Sequence, residues 1–261
     1  MSRLLKVAKV IDALAAVMVN ELKIISREPG GFAMLVIYPY LVTGGMAFVA
    51  SFFSKINGLD FLRQFIGFEI IMLSVIMVQA GARFLREERN GGRLEYLLAS
   101  PTPMHIILLA TSLSMSIASI GAFITALIPL MAIYYGALGV VKSIIASILT
   151  LLGLIPLFGL GLIMAGVALR LRDIDALMNV VTSVISLLSA ATYPAYILPQ
   201  WLRLIIRIFP MYPLYDALLG LLLSIPNIGS LTWLLALIAT YGLMGLYSYG
   251  LLEGQVRRRG V

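Results

Sequence analysis

Residues able to do acid–base or metal chemistry are few in this chain and stand far apart. There is one histidine, His105, and no cysteine among 261 residues. Disulfides, thiolate metal sites and cysteine catalysis are therefore excluded. A catalytic histidine needs a nucleophile or further metal ligands beside it, so His105, at the start of an apolar run, reads as an interfacial residue. Paired carboxylates occur at Glu87-Glu88 and at Asp173-x-Asp175. A metal-dependent lipid transferase would gather several acids on neighbouring helix faces. These two pairs fall on separate loops mixed with arginine, and solvated salt bridges are the simpler reading. No Gly-Lys-Ser/Thr phosphate loop is present. Glu69 is the one carboxylate well inside an apolar run, where charge is costly and must face protein or water. It lines a pathway, or it pairs with a neighbour or reaches headgroups near the outer end of its helix. Gln79 is a second possible pathway residue, though an interhelical hydrogen-bonding role suits it better.

The densest charge lies in one run, Arg86-Glu87-Glu88-Arg89-Asn90-Gly91-Gly92-Arg93-Leu94-Glu95-Tyr96-Leu97-Leu98-Ala99-Ser100-Pro101-Thr102-Pro103. Residues 86–98 can form an amphipathic helix, broken or turned at Gly91-Gly92. Leu94, Leu97 and Leu98 are then available to bury against a partner, and Glu88, Arg93 and Glu95 offer directional ion pairs. Pro101 and Pro103 end the element. Three basic and three acidic residues beside an apolar stripe exceed what orientation in a membrane requires. The run reads as a docking element, over 84–103, through which a soluble protein works on a membrane part.

The elements that must position this run are hydrophobic. The chain is 61% apolar and 12% charged, with a mean hydropathy of +1.02, where soluble domains carry roughly 25% charged residues. An all-α integral membrane protein is the class that fits. A net charge of +7 follows from basic residues at the ends of apolar runs and calls for no nucleic acid. Leu4, Val7, Ile11, Leu14, Met18, Leu22 and Ile25 recur at helical spacing, with Lys6, Lys9, Asp12, Asn20, Lys23 and Arg27 opposite. Residues 1–29 thus read as an amphipathic helix in the membrane interface, ended by Pro29-Gly30-Gly31. Residues 30–261 read as six transmembrane helices. Apolar runs cover 32–53, 61–82, 106–138 with Lys142 marking the turn, 144–169 and 231–252, and a shorter run covers 177–191. Glycines in 144–169 allow close helix contacts. Before the last span, Tyr193, Pro194, Tyr196, Pro199, Trp201, Pro210 and Pro213 are too proline-rich for one straight helix. They predict a broken, re-entrant outer hairpin over 193–214. Lys55, Arg63, Lys142, Arg203 and Arg207 fall on one side, and the other fourteen of the 19 basic residues on the opposite side. That asymmetry puts both termini, the Arg86 loop and the loop carrying Arg170, Arg172 and Asp173 in the cytoplasm.

Glu88 to Pro101 resembles the Glu-Arg-Glu-x-Gly-Thr-Leu-Glu-x-Leu-Leu-x-Ser-Pro stretch of membrane subunits of type-2 ATP-binding-cassette exporters. Asn90 stands for an acid and Arg93 for threonine. The segment from Tyr193-Pro194 through Leu198-Pro199-x-Trp201-Leu202 to Pro210-Met211-Tyr212-Pro213-Leu214 is similar to that family's outer hairpin. The Arg170-x-Arg172-Asp173 loop also resembles the family, notably its polysaccharide exporters. The resemblance implies a permease making half of a pore in the cell membrane, with a second permease subunit completing it. It implies two cytoplasmic ATPase subunits docked on residues 86–100 and on the N-terminal helix. ATP and Mg would be bound by those partners, this chain would hold no cofactor, and it would not be an enzyme. The cargo would be amphiphilic: a lipid, a drug-like molecule or a lipid-linked glycan. The competing readings are a membrane enzyme acting on lipid-linked substrates and a secondary transporter or channel without an ATPase. The scarcity of intramembrane acids and histidines disfavours both the enzyme and a proton-coupled carrier.

Overall fold

The computed structural model describes residues 3–51, 58–100, 102–171, 174–191, 193, 195–225 and 227–259. They form ten α-helices and one 3-10 turn: α1 Arg3–Arg27, α2 Pro29–Ser51, α3 Gly58–Asn90, α4 Leu94–Ala99, α5 Met104–Tyr135, α6 Ala137–Ala168, α7 Asp175–Leu188, the turn Ala195–Ile197, α8 Gln200–Ile208, α9 Met211–Leu222 and α10 Ile228–Arg259. Among the described residues, α3, α5, α6 and the 228–251 part of α10 are each long and apolar enough to cross a membrane. The pair α8–α9 passes together but bends by 88° at its break. That makes four crossings, or five with the bent pair, where the hydropathy pattern predicts six. The 14 residues of α7 reach only about 21 Å, short of a bilayer's hydrocarbon core.

Three boundaries differ from the sequence expectation. Pro29 opens α2 rather than a turn, because a proline at the first helical position loses no hydrogen bond; Gly30 and Gly31 lie inside the helix. The second apolar run continues as helix through the charged residues to Asn90, so α3 is 33 residues long. At 1.5 Å per residue it is about 50 Å long, well over the roughly 30 Å of a bilayer's hydrocarbon core. The turn between α5 and α6 falls at Gly136, whose φ of 58° favours glycine, not at Lys142. The Lys142 ammonium instead donates to the Leu222 carbonyl and to Ser224 Oγ, each at 2.7 Å, sealing the end of α9. It also lies 4.2 Å from the centre of the Tyr135 ring.

α6 is the hub of the bundle. Its glycines let neighbouring backbones touch, as the glycine spacing predicts. A Cβ on Gly159 would stand 2.0 Å from the Tyr241 carbonyl oxygen of α10, and one on Gly161 would stand 3.0 Å from the Met77 carbonyl of α3. The larger core cluster joins Phe65, Leu73 and Met77 of α3 to Leu127 of α5, Leu157 of α6 and Leu214 of α9. A second cluster closes the opposite end around Leu85, Leu94, Met104, Leu108, Leu162, Leu169 and Tyr249. α1 packs along α5, its Leu14, Val17, Met18 and Leu22 half-buried and its Ile11 exposed. Ser114 Oγ donates to the Met18 carbonyl at 3.4 Å. One part of the apolar stripe therefore faces protein.

Candidate functional site: a wired end of the bundle

The charged run folds as a helix stop followed by a short return. The Arg93 amide donates to the Glu88 carbonyl at 2.8 Å, and the Gly92 amide to the Arg89 carbonyl at 3.0 Å. With Gly92 at a φ of 67°, this is a Schellman closure, which satisfies the last carbonyls of a helix. The predicted break at Gly91-Gly92 is thus present. The Arg93 guanidinium then reaches back to both Glu88 carboxylate oxygens, at 2.9 and 3.0 Å. Such a fork fixes geometry as well as charge, and it keeps α4 at a set angle to α3.

The side chains divide between inside and outside in a way the pattern alone does not show. Leu94 is 5% exposed and packs in the second core cluster, with Leu97 beside it. The expectation that Leu94 meets a partner is therefore corrected: it anchors α4 to its own chain. The Leu98 side chain lies outside the described residues. The outward face carries Glu95 and Tyr96, the latter 80% exposed.

Arg89 turns inward too. Its guanidinium donates to the carbonyls of Leu171, Ala168 and Leu169 at 2.6, 2.9 and 3.1 Å. These are the unpaired acceptors that any α-helix leaves at its C-terminus, here on α6, and a cation suits them. Arg86 pairs with Asp175 at 2.6 Å, with both side chains about half exposed. Two turns back along α3, Gln79 Nε2 donates to the Met178 carbonyl at 3.0 Å and to Thr182 Oγ1 at 2.6 Å. Gln79 Oε1 accepts from Arg83 at 2.8 and 3.2 Å. The amide thus bonds across to α7 through Nε2 and within α3 through Oε1, which is the interhelical role that suits it. Together these residues wire α3 to the end of α6 and to the start of α7 around a polar cleft of about 260 Å³. Arg170 is exposed beside Leu171, and Arg172 and Asp173 lie outside the described residues.

Glu21 of α1 joins this end. Burial, and then the negative charges of Glu87 and Glu88, push its carboxyl above the ordinary 4.5. A raised acid opposes folding once ionised, and this opposition vanishes as pH falls below 4.5. Glu21→Gln should therefore raise the melting temperature in detergent at pH 7, with the gain lost below that pH. An unchanged melting temperature at pH 7 would show that neither burial nor the acids of α3 disfavours the Glu21 charge.

Other candidates fall elsewhere. Glu69 is 1% exposed, and its Oε1 has no hydrogen-bond partner. It faces the interior of this subunit. His105 is half-buried in the first turn of α5. Among the described residues no three His, Asp or Glu side chains are grouped to hold a metal. The 193–214 segment is broken, with a bend of 88° between α8 and α9. Pro199 and Pro210 stand at the starts of α8 and α9, and Pro213 is buried in the first turn of α9. Trp201 is 63% exposed, and Tyr193 donates to the Leu187 carbonyl. Pro194 and the Tyr196 side chain lie outside the described residues.

Long apolar helices with a polar, cross-braced end define a multi-pass membrane protein. The profile of the ABC-2 type transporter family matches residues 12–223, most of the chain, and the chain belongs to that family. Comparison with curated proteins gives no match.

Proposed function

We propose that this chain is the permease subunit of an ABC exporter and moves an amphiphilic substrate across the cell membrane. The observation that carries this reading is the wired end. The charged run is held rigidly to α3, α6 and α7 while Glu95 and Tyr96 remain outside for a partner. A partner pressing on α4 moves all three helices together, through Arg93–Glu88, Arg89 and Arg86–Asp175. That partner is a cytoplasmic ATP-binding-cassette ATPase, in two copies, and ATP and Mg are bound there. A second permease subunit completes the path. The ATPase pair closes on ATP and biases a two-state bundle from a distance. Six crossings result when α2 and the short α7 join the four long helices, with the bent α8–α9 pair re-entrant on the outer side. α1 lies at the interface with its charged face to water, and the termini are cytoplasmic.

Two measurements test the reading. The chain has no cysteine, so Arg93→Cys introduces a unique thiol. An impermeant maleimide is expected to reach it from the cytoplasmic side only; labelling from outside intact cells would reverse the orientation. In co-purification, Tyr96→Asp combined with Glu95→Lys should lower capture of the ATPase subunit about tenfold or more, as expected for an exposed aromatic anchor with a rim charge. Capture at the wild-type level would remove α4 as the docking face.

A further inference from the structure

The end of the bundle opposite Arg89 carries a pocket that the transport reading does not use. It holds about 660 Å³ between α8, α9 and α10, and its wall includes Leu204, Arg207, Tyr212, Asp216 and Trp233. That volume is in the range of small-ligand sites, roughly 300–1,000 Å³.

Its charges are unequal in their commitments. Asp216 Oδ2 already accepts from Asn227 at 2.6 Å and from Ser230. The Arg207 and Arg203 side chains make no ion pair among the described residues. Asp216 keeps its charge but is turned to Asn227 and Ser230, and the exposed Arg207 is the cation left on the pocket wall.

α8 gives the pocket its surroundings. Its sequence, Gln200-Trp201-Leu202-Arg203-Leu204-Ile205-Ile206-Arg207-Ile208, joins arginines to a large exposed apolar surface at Trp201, Leu204 and Ile208. The helix turns 88° from α9, so where α9 runs with the crossings, α8 lies flat along the membrane surface. That is the arrangement of an interfacial helix, and tryptophan favours the same depth. The C-terminal end of α8 is pinned. Trp233 Nε1 donates to the Arg207 carbonyl at 2.6 Å, and Tyr241 Oη to the Ile208 carbonyl at 3.1 Å. The Arg207 backbone is thus fixed at the pocket while its guanidinium is left over for a ligand.

We propose that this pocket binds the phosphate of a membrane phospholipid, with Arg207 as counter-charge and the acyl chains along the apolar side of α8. The proposal rests on the bundle being embedded in a bilayer and stands whether or not the chain exports anything.

The test uses the fact that the chain has two tryptophans, Trp201 and Trp233. In Trp201→Phe the remaining indole reports on the pocket wall. The full chain is held in maltoside micelles, which carry no phosphate, and titrated with brominated phosphatidylglycerol or with brominated diacylglycerol. The phospholipid should quench Trp233 at about fivefold lower mole fraction, the scale of one arginine at a lipid surface. Adding Arg207→Gln should abolish that preference, and Arg207→Lys should retain it. Arg203→Gln should leave it intact. Equal quenching by the two lipids in Trp201→Phe protein would overturn the proposal, as would a preference that survives Arg207→Gln with an unchanged emission maximum. Inorganic phosphate should not displace the brominated lipid; complete displacement would reassign the pocket to a small anion.

Discussion

Gly159→Ala should be among the most damaging single-atom additions to this chain. The new Cβ would stand 2.0 Å from the Tyr241 carbonyl oxygen, well inside contact distance. On the other side of the same crossing, a Cβ on Gly245 would stand 2.5 Å from the Gly159 Cα. Two backbones meet here, and a backbone cannot rotate aside as a side chain can. α6 and α10 would have to part along their whole contact, at a cost of about 3 kcal/mol by the scale of core overpacking. For a chain of this size that is a fall in melting temperature on the order of 10 °C. Gly250→Ala is the internal control, because a Cβ there meets nothing within 4 Å. It should be neutral, or slightly stabilising through helix propensity. Equal melting temperatures for the two variants would mean that α6 and α10 are not in backbone contact.

The second large effect is expected at Arg89. Arg89→Ala removes three charge-assisted hydrogen bonds from the end of α6 and leaves the carbonyls of Ala168, Leu169 and Leu171 without that donor. Bonds to charged groups contribute about 1.5–3 kcal/mol each, but not additively. For a half-exposed arginine we expect a total loss of about 2 kcal/mol. Amide exchange near residues 168–171 should accelerate about tenfold or more, since this end of α6 would open locally. Arg89→Lys should restore less than half of the protection, because an ammonium cannot span three carbonyls as a guanidinium does. If Arg89 served only a partner, alanine would leave stability and exchange alone and would lower ATPase capture instead.

These two positions also show what was legible in advance. The close α6 contacts could be expected, because glycine at short intervals in an apolar helix has few other uses in lipid. The stop after Asn90 was legible for a similar reason: two adjacent glycines cannot extend an exposed helix cheaply. The shortness of α7 followed from counting apolar residues. Arg89 was harder. Its acceptors are backbone carbonyls about eighty positions away, and a helix end has no residue signature that selects one arginine over another. Leu94 was misread because periodicity finds a stripe but does not say which neighbour covers it. Gly136 was hidden inside an apolar run in which neither hydropathy nor charge changes. Lys142 drew attention because it was the only charge nearby, yet it sits inside α6 and seals α9.

The unbroken length of α3 has a mechanical consequence. Near its start, Gly67 lies against the Ala191 backbone, where a Cβ would come within 2.0 Å of the carbonyl oxygen. Near its end, Arg89 grips α6. The 22 intervening steps are one helix, about 33 Å of stiff rod. Tilting its inner end by a few degrees swings the outer end by ångströms with no relay of rearranging side chains. Under the proposed function, the stroke delivered near Arg89 and the opening near Ala191 are then two ends of one crank and share a single clock.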